Sequence, residues 1–139
     1  MIIIDTGFLI ALVDPTDRHH HKALLWRDSA KDGWVSTWPV ITEAHYMIGK
    51  RLNVEAATDL VKECDGGSIQ LWDIPTAQLP RMHALLTQYQ QLPMDLADAS
   101  LVLLAEHVGH GRILTTDQRD FGTYRFKSRK PFQNLMAGG

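Results

Sequence analysis

The sequence lacks the features that mark secreted and membrane proteins. Its single cysteine, Cys64, excludes an internal disulfide, and disulfides are the usual staple of small secreted domains. The longest apolar runs, Phe8–Val13 and Leu101–Ala105, are far shorter than the ~20 residues that a membrane-spanning helix needs. The segment Met1–Asp5 has no basic stretch ahead of a long apolar one, as a signal peptide would have. We therefore expect a cytoplasmic protein that does not enter a membrane.

An excess of charge of one sign is also lacking, because 14 basic residues nearly balance 16 acidic ones and leave a formal net charge of −2. This balance argues against a protein that holds nucleic acid by bulk charge alone. Basic residues are nevertheless concentrated within the last 21 positions. Such a segment is either a solvated tail or a strip that contacts phosphates, and both interpretations stay open. The candidate phosphate-binding side chains are Arg119, Arg125, Lys127 and Arg129.

What the sequence does contain is an alternation of short β-branched runs with longer helical patterns. With 139 residues, 45% of them hydrophobic and 22% charged, the composition suits one folded domain over residues 1–139. Ile2–Ile4 is apolar throughout, which is typical of a strand buried on both faces of a parallel sheet. The predicted strands are Ile2–Ile4, Trp34–Thr37, Ile69–Ile74 and Arg112–Thr115.

Helices are predicted between these strands from apolar spacing and from residues that begin or end helices. Asp17 and Asn53 are suitable N-caps, and Pro39 suits a first helical turn. The alternation predicts an α/β fold in three layers, with a central, mainly parallel sheet of four to five short strands flanked by helices. The predicted helices are Gly7–Val13, Arg18–Lys31, Pro39–Arg51, a segment from Asn53 to about Cys64, Thr76–Leu92 and Leu96–His107.

Two acidic residues directly follow predicted strands. Asp5 comes after the first strand and Asp117 after the fourth. Ligands of open parallel sheets bind beyond the carboxyl ends of the strands, so both acids fall where this architecture places a site. Each also has a structural explanation, since Asp5 suits a helix cap and Asp117 a turn. Asp120 is a weaker candidate because it lies further from the strand end and next to Phe121, which we expect to pack.

Two further acids lie on predicted helices. Glu43 has apolar neighbours and no Lys or Arg at helical spacing, which lowers the expectation of an ordinary exposed glutamate. Asp98 has the apolar residues Leu101 and Val102 three and four positions further on. A carboxylate on a packing face needs a metal ion, a cation or hydrogen bonds as compensation, although capping of the first turn is the alternative. Asp95 directly precedes this helix and is predicted to be its N-cap.

These residues, in this order, resemble the PIN-domain family and, within it, the VapC-type toxins of bacterial toxin–antitoxin pairs. The resemblance covers nearly the whole chain. It opens with the strand, acid and short helix of Ile3–Leu12 and continues through Thr42 and Glu43 on an early helix. It is most specific over Met94–Leu101 and over Leu114–Phe121, which reads Leu-Thr-Thr-Asp-Gln-Arg-Asp-Phe.

The resemblance implies a metal-dependent ribonuclease. It implies that water hydrolyses RNA and leaves 5′-phosphate and 3′-hydroxyl ends. It also implies a protein antitoxin and a homodimer. Carboxylates that converge on one pocket favour hard cations, Mg²⁺ or Mn²⁺. The metal-binding acids would be Asp5, Glu43, Asp98 and Asp117, with Thr6 and Thr116 supporting them through hydroxyl contacts and Asp95 at the edge of the site.

Three other interpretations stay in view. The run His19–His21 suggests zinc, but consecutive helical residues point about 100° apart and cannot all face one ion. A phosphorylatable receiver domain would use Asp73 as phosphoacceptor and a Lys-Pro pair such as Lys130-Pro131, but it leaves Glu43 and Asp98 unexplained. The third is a PIN fold that binds RNA or a partner without cleavage, and the complete acidic set argues against it.

Overall fold

The computed structural model describes residues 1–29 and 31–137. Over these residues the strands form a five-stranded sheet and a separate two-stranded sheet. The strands are short, as expected from the brevity of the β-branched runs. They are β1 (Ile2–Ile4), β2 (Trp34–Thr37), β3 (Ile69–Trp72), β4 (Arg112–Leu114), β5 (Arg125–Phe126), β6 (Lys130–Pro131) and β7 (Gln133–Asn134).

Helices connect the strands of the larger sheet. Residues Thr76–Gln78 form a 3₁₀ turn just before the fifth α-helix. No helix within the described ranges combines the length and apolarity needed to cross a membrane. The α-helices are α1 (Thr6–Val13), α2 (His20–Ser29), α3 (Trp38–Arg51), α4 (Val54–Asp65), α5 (Leu79–Gln88), α6 (Leu96–Val108) and α7 (Gln118–Thr123).

The larger sheet has the strand order β3-β2-β1-β4-β7, and every neighbouring pair is parallel. Its central strand β1 pairs with β4 so that Ile4 lies opposite Leu114. Because the two strands run in the same direction, the residues that follow them emerge side by side at the carboxyl edge of the sheet. The Asp5 backbone N–H donates to the Leu114 carbonyl at 3.1 Å across this edge. The predicted α/β fold with a parallel sheet flanked by helices is confirmed.

The hydrophobic core lies around β1 and α6. All three isoleucines of β1 are buried, and eight residues of α6 are buried, as expected for a helix that is apolar on nearly every side. Full burial of a leucine such as Leu101 contributes about 1.5–3 kcal/mol. The buried hydroxyls of Thr37 and Ser100 satisfy each other at 2.6 Å. This packing fixes α6, and therefore fixes the position of Asp98 in its first turn.

Several boundaries differ from the sequence expectations. Helix α2 begins at His20 rather than Arg18. The predicted cap, Asp17, accepts the His19 N–H at 2.8 Å, and the residues between Asp17 and His20 form a turn rather than a helix. Its predicted end at Lys31 is also wrong, since α2 ends at Ser29 and Lys31 lies in a turn; residue 30 lies outside the described residues. The strand predicted over Ile69–Ile74 ends at Trp72.

The predicted helix Thr76–Leu92 is shorter in the structure. It is divided into the 3₁₀ turn and α5, which ends at Gln88. Pro80 lies in the first turn of α5, as expected, because a proline there removes an N–H that has no partner within the helix. The Tyr89 N–H closes the end of α5 on the Leu85 carbonyl at 3.0 Å.

The part of the chain after β4 was not predicted as regular structure. Helix α7 follows Asp117, and β7 adds a fifth strand beside β4. These elements are two to six residues long, too short for periodicity to reveal them. Their position depends on tertiary packing, because Gly111 has no room for a side chain against Phe126 and Phe132.

Candidate active site

A cleft of about 290 Å³ opens at the carboxyl edge of the sheet, between the ends of β1 and β4 and the start of α6. All four acids predicted from the sequence border it. Its predicted supporting residues Thr6, Thr116 and Asp95 border it as well. The complete lining is Asp5, Thr6, Gly7, Ile10, Glu43, Pro93, Asp95, Asp98, Thr116, Asp117 and Asp120.

A larger cavity, of about 440 Å³, lies elsewhere. It is lined mostly by apolar residues of α1 and α4 and by the first residues of β2 and β3, and none of the four acids borders it. It therefore opens near the amino ends of the strands. Ligand sites of parallel sheets form at the carboxyl ends, so the smaller acidic cleft is the better candidate for chemistry.

Asp5 is the most buried of the acids that line the cleft, with 6% of its surface exposed. Its Oδ1 accepts the Thr6 N–H at 2.7 Å and its Oδ2 accepts the Thr115 hydroxyl at 2.7 Å. Burial raises the pKa of Asp5 to about 6. The two hydrogen bonds oppose this increase, while the nearby carboxylates of Glu43 and Asp117 add to it. The structure thus combines the predicted capping role with a place in the cleft.

Asp98 also combines the two roles that the sequence left open. It forms a reciprocal capping box with Asp95, in which Asp95 Oδ1 accepts the Asp98 N–H at 2.8 Å and Asp98 Oδ2 accepts the Asp95 N–H at 3.3 Å. Asp98 Oδ2 additionally accepts the Tyr124 hydroxyl at 3.1 Å. Burial raises the pKa of Asp98 to about 8, and repulsion from the Asp95 and Asp5 carboxylates adds to the increase.

Asp117 is the N-cap of α7. Its Oδ1 accepts the Asp120 N–H at 3.0 Å, and its own N–H donates to the Thr115 hydroxyl at 3.0 Å. Burial is the main cause that raises the pKa of the Asp117 carboxyl, and the adjacent Asp120 carboxyl adds to it. The expected turn residue after β4 is therefore also a helix cap that borders the cleft.

Glu43 lies on α3 and is exposed, as an ordinary helix glutamate would be. The expectation that apolar neighbours would make Glu43 less exposed than an ordinary helix glutamate was wrong, because Val40 is buried but Tyr46 is itself 60% exposed. Its position at the cleft is nevertheless as predicted. Desolvation of its carboxyl group at the cleft and the neighbouring Asp95 carboxylate raise the pKa of Glu43.

The hydroxyl groups of the site are distributed differently from the expectation. Thr115, which sequence reasoning missed, bridges Asp5 and the Asp117 backbone. Thr116 borders the cleft and packs against Gly7, where an added Cβ would collide with the Thr116 side chain. Two adjacent threonines precede Asp117, and the sequence carries no signal that says which of them reaches Asp5.

Asp120 also borders the cleft, although the sequence made it the weaker candidate. The reason for that ranking was partly correct, because the adjacent Phe121 is packed and only 1% exposed. The Asp120 Oδ1 atom is buried and has no hydrogen bond, with the Arg119 Nε atom at 3.5 Å. The first turn of α7 brings Asp120 back toward Asp117, and this return could have been inferred only if α7 had been predicted.

The candidate phosphate-binding residues fall in two places. Arg119 is highly exposed on α7, two residues after the cleft acid Asp117. Arg125 has a structural role, since its guanidinium donates to three successive backbone carbonyls at the end of α7. Lys127 and Arg129 are exposed in the β5–β6 hairpin.

That hairpin is fastened to the far end of α6. The Lys127 N–H donates to Glu106, and Arg81 donates to both carboxylate oxygens of the same Glu106. Glu106 lies eight residues beyond Asp98 on α6, which is about 12 Å along the helix axis. Any phosphate contact from the hairpin would therefore be made two turns away from the acids.

A metal ion fits the donor set of the cleft. Among residues 1–29 and 31–137, no three or more His, Cys, Asp or Glu side chains are already drawn together in metal-binding geometry. The cleft does hold a buried hydroxyl oxygen without a hydrogen-bond partner, Thr6 Oγ1, beside the carboxylates. Carboxylates that raise one another's pKa, with a spare hydroxyl oxygen, form the hard-oxygen environment that Mg²⁺ and Mn²⁺ prefer, and Mg²⁺ keeps several waters of its own.

Residues of the other sequence hypotheses lie outside this cleft. His20 of the histidine run donates its Nδ1–H to the Ala11 carbonyl at 2.6 Å. Asp73 follows the edge strand β3 and accepts the Trp38 indole N–H at 2.9 Å. A receiver domain would require Asp73 to be the centre of its site.

Comparison with known proteins agrees with this geometry. The family model of the PIN domain matches residues 2–127. The chain belongs to the PIN domain family. The receiver-domain alternative is therefore wrong, and the resemblance inferred from the sequence is confirmed.

Two proteins of Mycobacterium tuberculosis illustrate the likeness within this family. The chain is 32% identical to Ribonuclease VapC26 over 124 residues, which is 89% of this chain and 92% of that protein. A crystal structure of VapC20, described as a sarcin–ricin loop cleaving toxin, superposes with a TM-score of 0.79 at 16% identity and covers 86% of this chain and 92% of that one. VapC20 and this protein therefore share the same fold over most of this chain.

Proposed function

We propose that this PIN-domain protein is a divalent-metal-dependent endoribonuclease and the toxin of a toxin–antitoxin pair. The single observation that supports it best is the convergence of Asp5, Glu43, Asp98 and Asp117 on one cleft from four separate elements. The likeness to Ribonuclease VapC26 over most of both chains supports RNA as the substrate. Retention of the complete acidic set favours cleavage over RNA binding without cleavage.

The electrostatics of the cleft support the metal. Two carboxylates ~5 Å apart at an effective dielectric constant of ~20 repel by about 3 kcal/mol, and here several share one cleft. Asp5, Glu43, Asp98 and Asp117 would hold a Mg²⁺ or Mn²⁺ ion, and the unpartnered Thr6 hydroxyl is a further oxygen beside them. A bound ion would polarise the phosphodiester and lower the pKa of an attacking water.

The residues of the chain contribute orientation. Thr115 and the Thr6 N–H hold both oxygens of Asp5, so that this carboxylate has one orientation. The caps of α6 and α7 hold Asp98 and Asp117 by one oxygen each. Since these contacts exist in the fold itself, the carboxylates do not have to be ordered when substrate binds.

Partners and location form part of the same proposal. The VapC-type resemblance supports a protein antitoxin and a homodimer. The free cysteine, Cys64, is compatible with a reducing cytoplasm.

The proposal is tested by incubating the purified protein with a mixed RNA pool in Mg²⁺ or Mn²⁺ and mapping the product ends. We expect cleavage that leaves 5′-phosphates and stops when EDTA is added, since the carboxylates alone supply no electrophile. Undiminished cleavage in EDTA, with contaminating nucleases excluded, would contradict the metal-dependent mechanism. Binding of RNA without cleavage in either metal would favour the non-cleaving alternative.

A second prediction concerns the exposed cations. RNA affinity is expected to fall with salt, with a slope of roughly 0.7 per phosphate contact on a single strand. Replacing Arg119 by Gln should lower that slope by about 0.7, and replacing Lys127 and Arg129 together by about 1.4. Affinity is measured against salt in an Asp98→Asn background, so that the RNA stays intact.

Lys62→Gln is the matched control, because it removes the same charge from α4, which contributes nothing to the cleft. Its slope should equal that of the parent. If the Lys127 and Arg129 pair also leaves the slope unchanged, the hairpin is a solvated surface rather than part of the RNA path.

A further inference from the structure

Tyr124 is a completely buried tyrosine whose hydroxyl contacts Asp98, one of the acids that line the cleft. It has no exposed surface, and its hydroxyl donates to Asp98 Oδ2 at 3.1 Å. A buried tyrosine hydroxyl normally needs a polar partner, and here that partner is an acid of the site. The sequence did not single out this residue, because it lies 26 positions from Asp98.

The ring of Tyr124 is held by other aromatic side chains. Phe121 and Tyr89 both pack edge to face against it, with ring centroids 5.1 Å away in each case. The Tyr89 hydroxyl is held in turn, since it accepts the Arg125 N–H at 3.1 Å. A ring enclosed in this way cannot turn its hydroxyl elsewhere without repacking the cluster.

Helix α7 connects Tyr124 to a second acid. Asp117 is the N-cap of this six-residue helix and Tyr124 is its C-cap, with the Tyr124 N–H on the Asp120 carbonyl at 2.9 Å. One short helix therefore carries an acid of the cleft at its start and the hydrogen-bond donor to another acid at its end. The position of Asp98 is thereby tied to that of Asp117.

The two oxygens of Asp98 have different environments. Oδ2 accepts both the Asp95 N–H and the Tyr124 hydroxyl. Oδ1 has no hydrogen bond within the described ranges. Asp98 Oδ2 is therefore occupied by two hydrogen bonds, whereas Asp98 Oδ1 is available to bind an ion.

We propose that Tyr124 is a positioning residue that holds Asp98 Oδ2 in the aromatic cluster and leaves Asp98 Oδ1 available to a divalent cation. The inference rests on the proposed function, since it concerns the metal that the cleft would bind. The competing explanation is that the Tyr124 hydroxyl serves only the stability of the fold. The two explanations differ in what loss of the hydroxyl does to metal binding.

Tyr124→Phe separates them, because phenylalanine keeps the ring and removes the hydroxyl. Partners of metal ligands commonly affect metal affinity or activity by 10–100-fold. We expect Mn²⁺ affinity, measured by isothermal titration without RNA, to weaken by about tenfold or more. In cleavage assays at limiting Mn²⁺, kcat should fall while KM for RNA stays unchanged. The melting temperature in EDTA should change little.

Tyr89→Phe is the matched control, since it removes a hydroxyl from the same cluster that contacts only backbone. Its Mn²⁺ affinity should equal that of the wild type. In an Asp98→Asn background, adding Tyr124→Phe should cause no further loss of Mn²⁺ affinity, because a residue that acts through Asp98 has nothing left to act on. Wild-type Mn²⁺ affinity in Tyr124→Phe, or an equal loss in Tyr89→Phe, would overturn the proposal.

A measurement on the wild type keeps the proposal testable if Tyr124→Phe does not fold. The chain has three tyrosines, so ring carbons labelled at Cζ can be assigned with Tyr46→Phe and Tyr89→Phe. Saturation with Mg²⁺ should shift the Tyr124 signal and leave Tyr89 in place. A Tyr124 signal that does not move at saturation would refute the proposal, whereas a wild type that binds no Mg²⁺ or Mn²⁺ would refute the proposed function itself.

Discussion

Replacing Asp98 by asparagine is expected to abolish RNA cleavage, with kcat lowered by at least about 100-fold at unchanged fold. Loss of an outer partner of a metal site already costs 10–100-fold, and Asp98 is proposed to bind the metal directly. Asparagine keeps an oxygen that can accept the Asp95 N–H and the Tyr124 hydroxyl. The expected fall in kcat is therefore due to loss of the negative charge of Asp98 and not to loss of its capping hydrogen bonds. Single-turnover cleavage at saturating Mn²⁺ measures it.

Asp95→Asn is the matched control, because the two acids share one capping box and differ in their proposed role. Asparagine is as good an N-cap as aspartate, so the helix cap should be kept and cleavage should fall by less than about tenfold, below the range typical for partners of metal sites. Asp95 also borders the cleft and raises the pKa of Glu43, which explains a small effect. If Asp95→Asn reduces turnover more than Asp98→Asn at equal folding, the assignment of the two acids is reversed.

The metal-free protein is expected to lose stability as the pH rises, and the Asp98→Asn variant to lose less. The folded-state pKa values of Asp5 and Asp98 are raised from 3.8 to about 6 and about 8. Between the unfolded and folded pKa values the folded state binds more protons, so the free energy of unfolding falls with pH. For the buried Asp5 the loss begins near pH 3.8 and is complete above pH 6, which amounts to about 3 kcal/mol. For Asp98 it continues to about pH 8.

Melting temperatures in EDTA test this expectation. Asp98→Asn should match the wild type near pH 4 and melt progressively higher toward pH 8, with roughly 4 °C for each kcal/mol regained. Added Mg²⁺ should then stabilise the wild type more than the variant, because binding to the folded state stabilises it by mass action. Asp28→Asn, which alters a side chain 74% exposed on α2, should show neither effect. If Asp98→Asn melts at a lower temperature than the wild type at pH 8, and Mg²⁺ does not change the difference between them, Asp98 is only a helix cap.

Much of the architecture was predictable because it depends on local patterns. The apolar run Ile2–Ile4 could be stable only inside a sheet, and the alternation of strands with helices indicated parallel pairing. Glycine and capping residues marked most helix ends within a few residues. The prediction failed where elements are very short, as in α7 and β5–β7, because six residues or fewer carry too little periodicity.

The sequence by itself determined which acids would meet. Asp5 directly follows β1, and Asp117 lies three residues after Leu114 of β4, so both acids emerge at the same edge of the parallel sheet. Asp98 was recognisable because an acid before a run of apolar helical residues needs compensation. Glu43 was selected partly for a reason that failed, its apolar surroundings, and the family resemblance identified it independently.

Only the tertiary structure decided how those acids are held. Thr115 rather than Thr116 donates to Asp5 across 110 positions of sequence, and Tyr124 reaches Asp98 across 26. Local patterns report which face of an element a residue occupies, but they carry no information on which distant side chain lies within hydrogen-bonding distance of it. That information arises when α6 and β4 pack against β1, because dense packing leaves each buried hydroxyl few partners to reach.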